Sequence, residues 1–436
     1  MRRVFLSFLG IGAKKADNEF DYDPARYYFP ECPPQPGQEP PLTKFVQAGE
    51  IRLLGPERFD EIILVVTAKS RELHFENLAE ELKGLGAPRP RFIEIEEDMS
   101  AAGQWRWFEK ILDQIQSGDR LTVDLTHGYR AVPIVFSTAV SFLQRALNVV
   151  VEAVYYGAYE RDRALSPIVD MRDFYIINEW ADGVSRLVED ADARKLADLT
   201  REAPGFQVGP LNDPELVEKL NDLTNRIRNV DMHKVGEIAA KTLDILASSQ
   251  AGGNAVGDLL LKLIQDKYAD LAGPTPPTGR YDLAYFQGQL AYIELLLEHK
   301  LHMQAFTVMR EVVGSIGLIE NPKARTTNSE GRKQRNKADI FINMLQNEES
   351  AWDFDEKKKP MLESLLPFYR KLEACGVLQV LKDEKLLKSL LKYRNGFDHG
   401  WTALSESPDD IEAQGTHFRE QLKRVVSELK IHGLLG

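Results

Sequence analysis

What most constrains this chain is an alternation that stops. Apolar runs at Val4–Leu9, Glu61–Thr67, Arg91–Ile95, Arg120–Leu125 and Val149–Tyr155 read as buried strands. Between the later ones lie helical patterns at Glu72–Leu85, Trp105–Gln116 and Val132–Leu147. Such a series predicts a parallel sheet with helices on both faces. Right-handed crossovers gather the strand C-termini on one edge, where open α/β sheets bind ligands. A further strand pair is expected near Ile168–Ile176. After Asn178 the segments turn helical in period: Trp180–Leu199, Asp213–Asn229, Val235–Leu246, Leu283–His299, His302–Val313, Asp339–Leu345, Met361–Cys375, Asp383–Tyr393 and Ile411–Leu429. Gly252–Gly253 and Gly273–Gly279 break that series. The expected fold class is an α/β Rossmann-like N-terminal domain (residues 1–178), an all-α connector (179–279) and an all-α C-terminal domain (280–436).

One insertion interrupts the first domain. Asp21–Pro41 holds seven prolines and several aromatics, among them Tyr22, Tyr27, Tyr28 and Phe29. Proline excludes regular helix and central strand there, so the segment reads as a long loop above the first strand. The start, Met1-Arg2-Arg3 before VFLSFLGIGA, has the outline of a secretion signal, but VFLSFL is equally a buried strand and is read as one. The apolar run from Ala131 stops at Gln144-Arg145, too short to span a bilayer. No membrane partner is expected.

A net charge of −12 argues against a protein coated in nucleic acid, though not against a local basic patch. Cys32 and Cys375 lie far apart without metal-ligand spacing, which fits a reducing cytoplasm. Glu298-His299 and His302 lack a third ligand, and no metal site is assigned.

Two glycine-containing turns sit at predicted strand ends. One is Leu9-Gly10-Ile11-Gly12; the other, Asp124-Leu125-Thr126-His127-Gly128-Tyr129-Arg130, runs straight into a helix. Glycine lets backbone N–H groups approach a ligand, and a helix N-terminus favours phosphate. Thr126, His127 and Arg130 add side-chain donors, and Thr67 stands at a third strand end. These residues suit phosphate or ribose. They equally suit ordinary strand-to-helix turns with a capping threonine. Neither glycine turn has the dinucleotide fingerprint or the Walker spacing.

Near the end stands Arg394-Asn395-Gly396-Phe397-Asp398-His399. Proton transfer near working pH and a permanent cation for phosphate oxygens are chemistry that a short polar run of this kind can offer. Histidine and arginine supply them. Asn395 and His399, four apart, share a helix face. The bland alternative for Arg394 is an ion pair with Asp398. The spacing recurs at Arg228-Asn229-Val230-Asp231-Met232-His233, a copy assigned to the connector and read as chance. Between Pro322 and Lys337 lie six basic residues and one acid. That stretch reads as a mobile loop, either simply solvated or, through Arg332, Lys333 and Arg335, holding RNA phosphates.

The residues of the first domain, VFLSFLGIG, the Thr67 turn and above all DLTHGYRAVPI, resemble the CARF domain (CRISPR-associated Rossmann fold). Arg-Asn-x-x-x-His in a helical setting resembles the HEPN ribonucleases. The first resemblance implies a dimeric sensor that binds a cyclic oligoadenylate through Gly10, Gly12, Thr67, Thr126, His127, Gly128 and Arg130. The second implies that two HEPN copies meet to cut single-stranded RNA, without metal or other cofactor, leaving a 2′,3′-cyclic phosphate. Arg394, Asn395 and His399 would be the catalytic set. No DNA partner is implied. Two alternatives stand beside this reading: a first domain that degrades its own ligand as a ring nuclease, and a ligand-gated regulator without catalysis.

Overall fold

The computed structural model describes residues 1–15, 19–35, 37–98, 100–127, 132–159, 163–202, 208–249, 255–272, 278–352, 354–383, 386–402 and 410–435. Contacts divide the chain into two compact units, Met1–Glu179 and Trp180–Gly436.

In the first unit the strands are β1 (Arg3–Leu9), β2 (Ala13–Lys14), β3 (Phe20–Asp21), β4 (Tyr27–Tyr28), β5 (Glu61–Val66), β6 (Arg91–Glu94), β7 (Arg120–Asp124), β8 (Val150–Gly157) and β9 (Ser166–Asp170). Seven of them form one sheet in the order β4-β9-β8-β7-β1-β5-β6, and β2 pairs with β3 in a small separate ribbon. The five strands from β8 to β6 are parallel, and β9 is antiparallel to β8.

β1 is central, and its side chains alternate between two buried faces. Val4, Leu6 and Phe8 join a core with Ile63, Val65, Leu121, Trp107, Ile111, Phe136 and Val140. Phe5 and Leu9 join another with Ile62, Leu64, Phe45, Ala48, Ile51, Leu78 and Leu82. Each fully buried Leu, Ile or Phe contributes about 1.5–3 kcal/mol, and burial on both faces fixes the register. The helices Ala101–Leu112 and Val132–Leu147 supply the first layer. Val46–Leu54 and Glu76–Gly84 supply the second.

Three local expectations differ from the structure. The Pro-rich insertion is not wholly a loop: Tyr27–Tyr28 is a two-residue edge strand, the one place in a sheet where flanking prolines are harmless. The strand expected to reach Ile176 ends at Asp170. There the Asp170 carboxylate accepts from the Arg172 amide at 2.8 Å and starts the helix Arg172–Asp190. The helix Val46–Leu54 has no clear apolar stripe in sequence, because it buries Gln47 and Glu50 alongside Val46 and Ile51.

The second unit is helical among its described residues. Its helices include Arg194–Glu202, Pro214–Arg228, Val235–Ser249, Ala255–Ala272, Leu283–Glu298, His302–Ile316, Asn336–Gln346, Lys359–Ala374, Leu387–Asp398 and Ile411–Ile431. The breaks at Gly252–Gly253 and Gly273–Pro277 lie outside the described residues. His302–Ile316 packs against Leu283–Glu298, Asn336–Gln346, Leu387–Asp398 and Ile411–Ile431. Part of the basic stretch read as a loop is a short helix, Ser329–Lys333, capped where Asn328 Oδ1 accepts from the Gly331 amide at 2.7 Å. Among the described residues no helix is long and apolar enough to cross a membrane.

Candidate ligand pocket and candidate nuclease helix

A cavity of about 530 Å³ opens at the C-terminal edge of the parallel sheet. It spans the ends of β6, β5, β1, β7 and β8, and Gly10, Gly12, Thr67, Thr126 and His127 all line it. Gly128 and Arg130 lie outside the described residues. The structure thus brings together five of the seven residues expected at the ligand end.

Asp124 builds the floor. It is fully buried at the end of β7. One carboxylate oxygen accepts from Ser7 Oγ at 2.6 Å and the other from the Thr126 amide at 2.8 Å. The second bond makes an Asx-type turn that ends the strand and turns Thr126 and His127 to the cavity. Thr126 Oγ1 accepts from the Gly157 amide at 2.7 Å, which ties this turn to β8. Gln47 Nε2 donates to Ser7 Oγ at 3.0 Å and to the Phe8 carbonyl at 3.1 Å. Burial pushes the Asp124 carboxyl up, opposed by His127. Burial pushes His127 down, opposed by Asp124. A neutral His127 offers the cavity one donor and one acceptor rather than a positive charge.

The two glycines of the first turn serve the protein's own chain as well as any ligand. A Cβ on Gly12, whose φ is +76°, would fall 2.5 Å from the Asp21 carbonyl carbon and oxygen. A Cβ on Gly10 would fall 3.2 Å from the Tyr22 hydroxyl. The β2–β3 ribbon therefore folds back over this turn and drives Tyr22 into the cavity wall. The Tyr22 ring lies 4.7 Å from His127, 5.0 Å from His74 and 5.5 Å from Phe45. His74 shares a hydrogen bond with the Ile11 carbonyl at 3.0 Å through Nε2. It sits on a single π-helical stretch, Arg71–Phe75, a local geometry common at functional sites. Thr67 is used locally: its hydroxyl accepts from the Ser70 amide at 3.2 Å and caps the following turn. Sequence reasoning missed Tyr22, Lys44, Glu97 and Tyr159 as lining residues. The aromatic content of the insertion was the available signal for Tyr22.

Glu50 lies near this floor, fully buried, with neither carboxyl oxygen partnered among the described residues. Burial, with the Asp124 charge adding to it, pushes its pKa well above the ordinary carboxylate value. A raised folded-state pKa means the folded protein holds this proton more tightly than the unfolded chain. Stability from this group is then present at acid pH and lost as pH rises through the folded-state value. Glu50→Gln is expected to stabilise the chain by about 1–3 kcal/mol at pH 8 and far less at pH 5. Urea unfolding at both pH values checks this; equal effects at both would show that Glu50 is not held protonated.

In the second unit, Arg394, Asn395 and His399 all belong to the last turns and C-cap of the helix Leu387–Asp398. The His399 amide donates to the Asn395 carbonyl at 3.0 Å, so the helical phase carries through to the histidine. Asn395 and His399 are exposed. Arg394 pairs with Asp398, both about one-third exposed, as the bland reading of the sequence expected. A pair this open contributes only a few tenths of a kcal/mol and competes weakly with a phosphate. Past His399 the chain reverses. The Trp401 amide donates to the Gly396 carbonyl at 2.8 Å, and a Cβ on Gly396 would fall 2.6 Å from the Trp401 ring. Phe306 is fully buried behind this turn, 5.4 Å from Tyr393, 5.5 Å from Phe397 and 5.6 Å from Phe418.

The copy at Arg228 has a different geometry. Asn229 caps a helix, Val230 takes a φ of +58°, and His233 falls in the turn beyond, so Asn229 and His233 share no helix face. Arg228 donates to the Ala191 carbonyl at 3.1 Å and the Asp190 carbonyl at 3.0 Å, at the end of another helix. Of the basic stretch, Arg332 and Lys333 are exposed, and Lys333 pairs with Glu330 at 2.9 Å. Arg335 is turned inward. It pairs with Glu311 and donates to Ser315 Oγ at 2.6 Å and the Glu311 carbonyl at 2.6 Å. Among the described residues no three His, Cys, Asp or Glu side chains cluster to hold a metal.

No protein-family model matches the chain. Over 147 residues it is 24% identical to the CRISPR-associated protein MJ1674 of Methanocaldococcus jannaschii, a match that covers 33% of this chain and 21% of that protein. The matched part is thus about a fifth of the relative's length. Among solved structures, Enterococcus italicus Csm6 bound to cyclic hexa-2′-fluoro-hexa-dAMP superposes with a TM-score of 0.47 and 12% identity, over 100% of this chain and 95% of that one. Over a third of its length the chain is thus similar to a CRISPR-associated protein, and its first unit has the parallel sheet, with a cavity at the strand C-termini, that the CARF resemblance implied.

Proposed function

We propose that the chain is a cytoplasmic, homodimeric endoribonuclease of type III CRISPR defence, switched on by a cyclic oligoadenylate. The observation that carries the reading is the cavity at the sheet edge, where Gly10, Gly12, Thr67, Thr126 and His127 converge. Residues 280–436 act as a HEPN ribonuclease domain and 179–279 as its connector. Backbone N–H groups of the Gly10–Gly12 turn and the Thr126–His127 turn, with Gly128 and Arg130, take the ligand's phosphates and riboses. A ligand that binds the active arrangement better than the idle one shifts the population toward cutting.

Cutting falls to Arg394, Asn395 and His399. His399 moves a proton between the ribose 2′-hydroxyl and the leaving 5′-oxygen, Arg394 offsets the phosphorane charge, and Asn395 orients the imidazole. The product ends are a 2′,3′-cyclic phosphate and a 5′-hydroxyl, and no metal takes part. Exposed Arg332 and Lys333 guide the RNA, while Arg335 anchors their segment to the helix His302–Ile316. The dimer is supported by an exposed apolar patch on the first unit. There Trp105, 63% exposed, and Phe142, 50% exposed, flank Phe108. Patches of this kind mark protein contacts.

The test is cleavage of labelled single-stranded RNA in EDTA, with each ring size of cyclic oligoadenylate and with none. One ring size is expected to switch cutting on. No cutting with any ring would leave a ligand-gated regulator as the better reading. A second activity is favoured by Thr126 and His127 side by side in the cavity wall: the first unit would degrade its own ring. Disappearance of the ring in a His399→Ala protein would establish that activity.

A further inference from the structure

The cavity has two chemically different halves. Over β1 and β7 it is polar, with the glycine turn, Thr126 and His127. Toward β5 and β6 its wall is Val65 and Ile95 with Phe8 of β1 beside them, all buried and apolar, with Thr67 at the end of β5 and Glu97 at the rim. The described lining holds three carboxylates, and two of these are already neutralised: Asp21 by Lys44 at 2.7 Å and Asp23 by Lys15. Glu97 is different. Its neighbours along the chain are all ion-paired, Glu94 with Arg71 at 2.7 Å, Glu96 with Arg106 at 3.3 Å and Asp98 with Arg106 at 2.6 Å. Glu97 alone in that run has neither ion pair nor hydrogen bond to a described residue, and it alone lines the cavity.

An unpaired carboxylate repels a phosphate, so this half is not built for the ligand's backbone. A flat apolar wall edged by one acceptor-only group suits a nucleobase that presents an exocyclic amine. We propose that the β5–β6 half is a nucleobase slot and that Glu97 selects adenine, accepting a hydrogen bond from the N6 amine. The 6-oxo group of hypoxanthine or guanine would face the same carboxylate acceptor to acceptor. This rests on the reading of the cavity as the cyclic-oligoadenylate site.

The test measures direct binding by calorimetry, using the full chain, cyclic oligoadenylate and cyclic oligoinosinate of equal ring size. A hydrogen bond to a charged group, lost or opposed, changes affinity by about 10- to 100-fold. The wild type is expected to prefer the adenine ring by at least that lower figure. In Glu97→Gln, whose amide can also donate, the preference should shrink to about threefold or less. Glu97→Ala should weaken the adenine ring and, by removing the opposed acceptor, tighten the inosine ring. Binding of the adenine ring with the same preference in all three proteins would overturn the role of Glu97 while leaving the cavity reading intact. Failure of the wild type to bind any ring would remove both.

Discussion

Ring-activated RNA cleavage is expected to fall about 10²- to 10⁴-fold in His399→Ala. The histidine is exposed at the end of the helix Leu387–Asp398, free of the packing that would make its removal a folding defect. The same protein should bind the activating ring as the wild type does, because the cavity and the histidine belong to different compact units. Arg394→Ala is expected to lose about 10²- to 10³-fold. It loses a guanidinium paired with Asp398, and a pair so open to solvent is worth little for stability. Single-turnover cleavage at saturating ring, with ring affinity measured separately, checks both. Cutting that survives in both variants would place the chemistry elsewhere, and the geometry of Arg228 and His233 makes that copy a poor substitute.

The second large effect is on folding. Phe306→Ala is expected to cost about 3–5 kcal/mol, since it empties a fully buried site where one ring meets Tyr393, Phe397 and Phe418. Two of those partners flank Arg394 and Asn395 in sequence, so the cavity opens directly behind the candidate catalytic turn. Urea unfolding of the second unit should show the loss. Cleavage should also fall at temperatures where the variant remains folded, because the helix end loses its backing. Phe306→Leu, which keeps most of the volume, should cost less than half as much. A Phe306→Ala protein of unchanged stability would mean that this aromatic cluster does not hold the turn.

The sequence already carried the sheet. β1, β5, β7 and β8 read directly because strands buried on both faces need near-continuous apolar runs, and nothing else of that length explains them. The DLTHGYR string and the Arg-Asn-x-x-x-His string were legible for a similar reason: each packs its chemistry into adjacent residues. The helix Val46–Leu54 was not legible, because it buries Gln47 and Glu50, and the partner that Gln47 finds, Ser7, is distant in sequence. Nor was the edge strand Tyr27–Tyr28, whose pairing depends on β9, far along the chain.

The candidate sites divide along the same line. Residue type and spacing determined which side chains could do chemistry: Thr126, His127, Arg394, Asn395 and His399. Only tertiary structure decided what surrounds them. It turned Tyr22 from an insertion into a wall, and spent Gly12 on the close approach of Asp21. It sealed Arg335 against Glu311, and left Glu97 without a partner among the described residues while its acidic neighbours are paired. The physical reason is that burial, desolvation and pairing are properties of contacts between distant segments, and spacing along a chain does not contain them.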